Sequence, residues 1–299
     1  MTVLPDLYPD FATRHAETSA GRIFARAGGK GPPLLLIHGY PQTHVMWHRV
    51  ATALAARFTL IVPDLPGYGA SAAPESNADH APYDKRSMAK ALVELMAALG
   101  HERFMLAGHD RGGRVAYRLA LDHAARVERL ATLDIIPTGE MWAGMDMTMA
   151  MKTYHWMFLS QRAPLPEQMI GAMPEAYLEW TLASWTKAKN LSAFAPEALA
   201  HYRAAYVEPH IHALCEDYRA GATTDLAHDN ADRAAGRMIE CPMLAIWGDA
   251  GIPSETSGPL ATWRRWASNV QGRAIDSGHF LAEENPDATA KALLAFFTA

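Results

Sequence analysis

Short apolar runs that end at glycine, proline or aspartate recur along the chain, at 22–27, 34–37, 59–62, 103–107, 130–133, 243–247 and 272–275. Helix-length stretches separate most of them, and strands that alternate with helical patterns predict parallel βαβ units. An α/β sheet is the expected core. From about 139 to 237 the alternation stops: no convincing strand appears, while Met, Trp, Tyr and Ala recur in patterns compatible with helices. We expect an inserted helical cap domain over 139–237, set on a core made of 1–138 and 238–299. Eight of the 15 methionines lie between Met141 and Met173, beside Trp142, His155 and Trp156. Such adaptable side chains suit a lid, although packing inside a helical subdomain accounts for most of them.

Composition narrows the class. Of 299 residues, 49% are hydrophobic and 20% charged, which excludes a disordered or low-complexity chain. The 27 Lys and Arg against 32 Asp and Glu give a net charge of −5 with no basic run. Nucleic acid therefore has no electrostatic footprint to bind, and any anionic substrate must be met by a local positive field. Cys215 and Cys241 are too few for a disulfide framework and lack Cys-x-x-Cys spacing. No apolar run approaches the roughly 18 residues that a membrane span needs, and no secretory leader pattern opens the chain. We expect a soluble, unprocessed, cytoplasmic protein. His44 and His48 have i, i+4 spacing without the Glu of a zinc motif, and Gly67-Tyr68-Gly69-Ala70-Ser71 does not open a helix as a nucleotide loop would. Neither metal nor cofactor is expected.

Chemistry enters at Gly108-His109-Asp110-Arg111-Gly112, which follows the apolar run Phe104-Met105-Leu106-Ala107 and precedes a helical pattern to about Leu121. A glycine-x-nucleophile-x-glycine turn between strand and helix presents one side chain at the top of a sheet. Here the presented residue is Asp110. His38-Gly39-Tyr40-Pro41 follows the run 34–37, where a backbone N–H completes an oxyanion hole with the residue after the nucleophile. The amides of Tyr40 and Arg111 would form it. Ser277-Gly278-His279-Phe280 follows the last run, so His279 sits on a loop able to reach the turn. For the acid that orients His279 there are two candidates. Gly248-Asp249-Ala250-Gly251 carries glycine where an acid commonly follows the penultimate strand, and Asp249 falls early and reads best as a turn residue. Asp134, at the end of the run 130–133, is the favoured acid.

The chain resembles the fluoroacetate (haloacetate) dehalogenases of the α/β-hydrolase superfamily over nearly its whole length. The likeness is carried by His38-Gly39-Tyr40-Pro41-Gln42-Thr43-His44, Asp64-Leu65-Pro66-Gly67-Tyr68-Gly69, Gly108-His109-Asp110-Arg111-Gly112, Tyr154-His155-Trp156, Glu216-Asp217-Tyr218-Arg219 and Ser277-Gly278-His279-Phe280. It implies Asp110 as nucleophile, Asp134 and His279 as the hydrolytic pair, Arg111 and Arg114 on the substrate carboxylate, and His155, Trp156 and Tyr218 on halide. It also implies a homodimer. Two positions depart from the family: Tyr40 stands where phenylalanine is common, and Gly113 where alanine is frequent. The Tyr40 hydroxyl would alter pocket polarity, and Gly113 would loosen Arg114.

The residue types suit the implied reaction. Attack at a saturated carbon bearing halogen needs an anionic nucleophile, and an aspartate with pKa near 3.9 supplies one at neutral pH. Arg111 and Arg114, three apart at a helix start, can converge on a small haloacid's carboxylate. Imidazole, indole and phenol groups can donate to a departing halide, and Trp185 is available as a pocket wall. An epoxide hydrolase is the runner-up, against which Arg111 argues because such sites are usually apolar beside the nucleophile. A haloalkane dehalogenase comes third, since tryptophan typically follows its nucleophile. A catalytically silent binding protein would not need Asp110, Asp134 and His279 together.

Overall fold

A computed structural model describes residues 4–255 and 258–299. Eight strands form one sheet: β1 (Ala12–Thr18), β2 (Gly21–Gly29), β3 (Pro33–Ile37), β4 (Thr59–Pro63), β5 (Phe104–His109), β6 (Val127–Leu133), β7 (Met243–Gly248) and β8 (Val270–Ile275), in the order β1-β2-β4-β3-β5-β6-β7-β8. The strands from β4 to β8 in that order pair in parallel, while β1 and β2 pair antiparallel at one edge. The helices before the long strand-free interval are α1 (His48–Ala55), α2 (Lys85–Ala98) and α3 (Asp110–Asp122). Within it come α4 (Thr138–Ala143), α5 (Met147–Lys152), α6 (Tyr154–Leu159), α7 (Leu165–Ala172), α8 (Pro174–Trp185), α9 (Pro196–Ala205), α10 (His210–Ala222) and α11 (Thr224–Ala234). After it come α12 (Pro259–Trp263), α13 (Leu281–Glu284) and α14 (Pro286–Phe297).

Central strands read as unbroken apolar runs because helices cover both faces of the sheet. Successive residues still serve opposite sides, as the pleat requires. Leu35, Ile37, Leu106 and Leu130 pack in one core with Leu92 and Met96 of α2 and Val115 and Leu119 of α3. Leu34, Leu36, Ala107 and Leu133 pack in a second core with Val50 and Leu54 of α1 and Leu293 and Phe296 of α14. Strand β1 has no counterpart among the expected runs, and its burial explains why: only Ala16 is buried in an otherwise polar edge strand.

The methionines depart from the interior reading. Met141 is buried, but Met147, Met151, Met169 and Met173 are exposed. Helix α5 has only six residues, none of them buried, too short to turn a continuous apolar face inward.

Strand β3 lies between β4 and β5, so the chain leaves β3 in one direction and returns across it to β5. Such a reversal opens a crevice beyond the carboxyl ends of the two strands. Asp110, at the end of β5, and Asp134, just after β6, both take positive φ, +47° and +54°. That conformation costs a non-glycine residue on the order of 1–3 kcal/mol and persists only where the surroundings impose it.

Gly113 does not loosen its helix. A Cβ there would lie 2.9 Å from the Gly108 carbonyl oxygen and 2.9 Å from Ile135 Cδ1, so α3 packs on β5 closely enough to exclude alanine. Crowding of this kind costs about 1–3 kcal/mol, against a helix-propensity gain of about 1 kcal/mol. Gly113→Ala should therefore lower the midpoint of urea unfolding; a raised midpoint would contradict the packing.

Candidate active site

Three loops at the carboxyl edge of the sheet converge on Asp110. Its Oδ1 accepts a 2.9 Å hydrogen bond from the Tyr40 amide, on the loop after β3. Its Oδ2 lies 3.8 Å from His279 Nε2, on the loop after β8. Burial works to raise the Asp110 pKa, but His279, His109, Arg111 and Arg114 outweigh it and hold the carboxyl below its usual value. The start of α3 adds the positive end of a helix dipole. Asp110 is consequently an anion at neutral pH.

His279 Nδ1 donates to Asp134 Oδ2 at 2.6 Å, and the other Asp134 oxygen accepts the Gly248 amide at 2.8 Å. A proton fixed on Nδ1 leaves Nε2 as the basic atom, and Nε2 has no hydrogen-bond partner among the described residues. Burial lowers the His279 pKa, yet the bond to Asp134 and the charges of Asp134 and Asp110 more than compensate and raise it. Asp249 is elsewhere: it is half-exposed and pairs with Lys187 at 2.8 Å. The glycine that replaces an acid after β7 has a structural consequence, since a Cβ on Gly251 would collide with the Asp134 carboxylate. Losing a side chain there makes room for the acid on β6.

Arg111 and Arg114 leave the first turn of α3 and are both buried, but they are held differently. Arg111 gives Nε to Asp217 Oδ1 at 2.8 Å and Nη2 to the Asp217 carbonyl and carboxylate, leaving Nη1 without a partner. Its guanidinium sits 4.3 Å from the Tyr218 ring centroid. Arg114 donates through Nη1 to the Ile136 carbonyl at 3.0 Å and to Thr138 Oγ1 at 3.1 Å, and lies 4.5 Å from the Trp156 ring. Among the described residues no carboxylate comes within ion-pair distance of Arg114, and its Nε has no partner.

Helices from the strand-free interval close over this floor. His155, Trp156 and Trp185 join Asp110, Arg114, Asp134 and His279 around a cavity of about 20 Å³. Trp185 also accepts the His279 amide on its carbonyl at 3.0 Å. Burial pushes the His155 pKa down to about 3, so the ring is neutral, and its Nδ1 has no partner; the Tyr218 hydroxyl has none either. The Tyr218 ring packs edge-on against His155 and Trp156, with centroids 5.6 and 6.4 Å apart. The Tyr40 hydroxyl is spent on Tyr206, 2.8 Å away in buried surroundings, so it does not make the cavity more polar. A larger groove of about 430 Å³, lined by Met151, Lys152, Trp180 and Lys189, shares Trp185, Ile252 and His279 with the cavity.

Lys85 and Asp217 were given no role by the sequence reading. Lys85 Nζ pairs with Asp217 Oδ1 beneath Arg111 and lies 3.5 Å from Asp225. A lysine at the start of α2 carries no periodic signal that would mark it as buried. Asp84, Asp225 and His228 place possible metal-ligand atoms within 4.8 Å of one another, but the neighbouring Lys85 ammonium already supplies positive charge there.

Comparison with known proteins agrees with this architecture. Residues 32–286 match the model of the alpha/beta hydrolase fold. The chain belongs to the alpha/beta hydrolase family. Within that family it is 42% identical to a fluoroacetate dehalogenase from Burkholderia sp, over 98% of this chain and 95% of the other. It is 33% identical to a soluble epoxide hydrolase from Corynebacterium sp. (strain C12), over 90% and 91% of the two chains. Its fold superposes with TM-score 0.94 on a protein provisionally described as an alpha/beta hydrolase from Nostoc sp PCC 7120, 49% identical, covering 97% and 99% of the chains. No helix among the described residues is long and apolar enough to cross a membrane.

The His279–Asp134 bond is open to a direct test by NMR titration of the imidazole. The midpoint should lie above the ordinary 6.5, and Asp134→Asn should lower it by removing the carboxylate that favours the imidazolium. An unchanged midpoint would show that Asp134 does not control the ring.

Proposed function

We propose that the protein hydrolyses the carbon–halogen bond of small 2-haloacids, fluoroacetate and chloroacetate among them, through an ester on Asp110. One observation carries the reading: Arg114, a buried cation beside an anionic nucleophile, has no carboxylate partner among the described residues, and Arg111 Nη1 next to it is unpartnered. A buried charge without a counter-ion is costly. A substrate carboxylate supplies that counter-ion, and the small cavity suits a two-carbon acid. The fluoroacetate dehalogenase among the relatives supports the same substrate class.

The geometry divides the reaction into two steps. Because Oδ1 of Asp110 is bound by the Tyr40 amide, Oδ2 attacks the halogen-bearing carbon, the carbon–halogen bond breaks with its electron pair, and halide departs. His155, Trp156 and Tyr218 donate to the leaving halide, from the helical segment acting as a cap. Oδ1 is then the ester carbonyl oxygen, already seated against an amide. His279 Nε2 takes a proton from water as the water oxygen bonds to Asp110 Cγ, and the Tyr40 and Arg111 amides hold the resulting oxyanion. Collapse releases the 2-hydroxy acid and restores Asp110, the alkoxide recovering the proton from His279.

A second reading has one observation in its favour: the buried, unpartnered Tyr218 hydroxyl could donate to an epoxide oxygen, and an epoxide hydrolase is among the relatives. It leaves Arg114 without an anion. Halide release from fluoroacetate and chloroacetate, measured beside turnover of a styrene-type epoxide, separates the two; turnover of the epoxide alone would overturn the haloacid reading.

Two variants probe the steps. His279→Ala incubated with chloroacetate should accumulate the ester, seen as a carboxymethyl mass on the intact protein. A chain that stays unmodified while the wild type turns over would exclude the covalent route. Arg114→Ala should lose about 1.5–3 kcal/mol of transition-state stabilisation, roughly 10- to 150-fold in kcat/KM for haloacetates. Undiminished kcat/KM would remove Arg114 from carboxylate recognition.

A further inference from the structure

Behind Arg111 lies a second layer of buried charge that the reaction scheme does not use. Asp217 is fully buried and accepts from four donors: Arg111 Nε and Nη2, the Tyr68 hydroxyl at 2.8 Å, and Lys85 Nζ. Lys85 is itself 2% exposed. It comes from the first position of α2, whereas Asp217 comes from α10, so the pair joins the core to the helical segment. Lys85 also faces Asp225 on α11, whose Oδ1 accepts the Lys85 backbone amide at 2.7 Å.

The arrangement has two effects on Arg111. With Nε and Nη2 tied to Asp217, the guanidinium cannot rotate, and only Nη1 remains to meet a ligand. An aspartate paired with Arg111 alone would also neutralise it, leaving a closed ion pair with little attraction for a second carboxylate. Asp217 is instead shared. Asp217 divides its charge between Arg111 and Lys85, so Arg111 is only partly neutralised, and Arg114 nearby has no carboxylate partner among the described residues. Coulomb attraction at these separations is strong in buried surroundings, and a small anion is what two incompletely neutralised guanidinium groups would recruit.

We propose that Lys85 is a specificity-determining positioning residue: by sharing Asp217 with Arg111 it holds the guanidinium aimed and only partly neutralised, so that the site selects a carboxylate. Lys85 touches no substrate. This rests on the haloacid reading for the identity of the reaction, but the carboxylate preference it predicts is measurable without turnover.

Removing Lys85 alone takes the cation away from the buried Asp225 and endangers folding. The informative variant is therefore Lys85→Met combined with Asp225→Asn, which deletes one cation and one anion together and leaves Asp217 to Arg111 alone. Acetate serves as the unreactive probe, its dissociation constant taken by calorimetry, alongside KM and kcat for chloroacetate. In the double variant acetate binding and KM should both weaken about tenfold or more, the effect of roughly one charge-assisted contact, with kcat changed much less. Lys85→Arg, which keeps the charge, should retain most of the affinity.

Acetate affinity and KM equal to wild type would overturn the proposal. So would a fall in kcat and melting temperature at unchanged acetate affinity, since that is what a purely structural ion pair predicts. If the wild type releases no halide from any haloacetate, the reaction assigned above fails, and acetate affinity in wild type and double variant still decides the role of Lys85.

Discussion

A carboxylate kept ionised inside the protein is the condition on which the site depends. Burial alone would favour the neutral carboxyl at Asp110, which the proposed reaction could not use as a nucleophile. The opposing positive field comes from the start of α3, the Tyr40 amide, His279 and two arginines. The same field makes a small anion a suitable guest in a protein whose net charge is −5. Global charge counts for little here, because screening confines exposed charges to short range while buried ones act undiminished.

Maintaining that field obliges the protein to manage cations as carefully as Asp110 itself. Arg111 is locked by Asp217, and Asp217 is shared with Lys85. Arg114 is steadied by neutral acceptors, the Ile136 carbonyl and the Thr138 hydroxyl, and by the Trp156 ring. Neutral acceptors fix the direction of a guanidinium while leaving its charge uncancelled. Together the two arrangements orient a pair of arginines without silencing either.

Sheet topology turns this chemistry into geometry. The reversal at β3 sets the loops after β3 and β5 side by side, and β6, β7 and β8 follow in order. Asp134 and His279, 145 residues apart in sequence, therefore meet across the end of β7, whose Gly248 amide also binds Asp134. The glycine at position 251 completes the exchange: an acid moved from β7 to β6 needs the volume that a side chain there would occupy. The carbonyl of Trp185 accepts the His279 amide, which ties the helical segment to the loop that carries His279.

Local pattern determined a large part of this. Seven strands were legible, the inner ones because parallel strands covered on both faces are apolar throughout, and the Asp110 turn, the Tyr40 loop and the His279 loop were legible because each follows a legible run. β1 was not, being a polar edge strand with one buried residue, nor was the exposure of Met147, Met151, Met169 and Met173, since apolar composition does not say which short helices reach the interior. The choice of Asp134 over Asp249 was open on spacing alone; the hydrogen bond to His279 and the surface ion pair of Asp249 distinguish them. Lys85 was invisible, for nothing local marks a lysine as buried. Its surroundings come from α10 and α11, more than 130 residues away. Backbone periodicity and turn chemistry are local and can be read along a chain, whereas burial of charge depends on which distant groups fold against it.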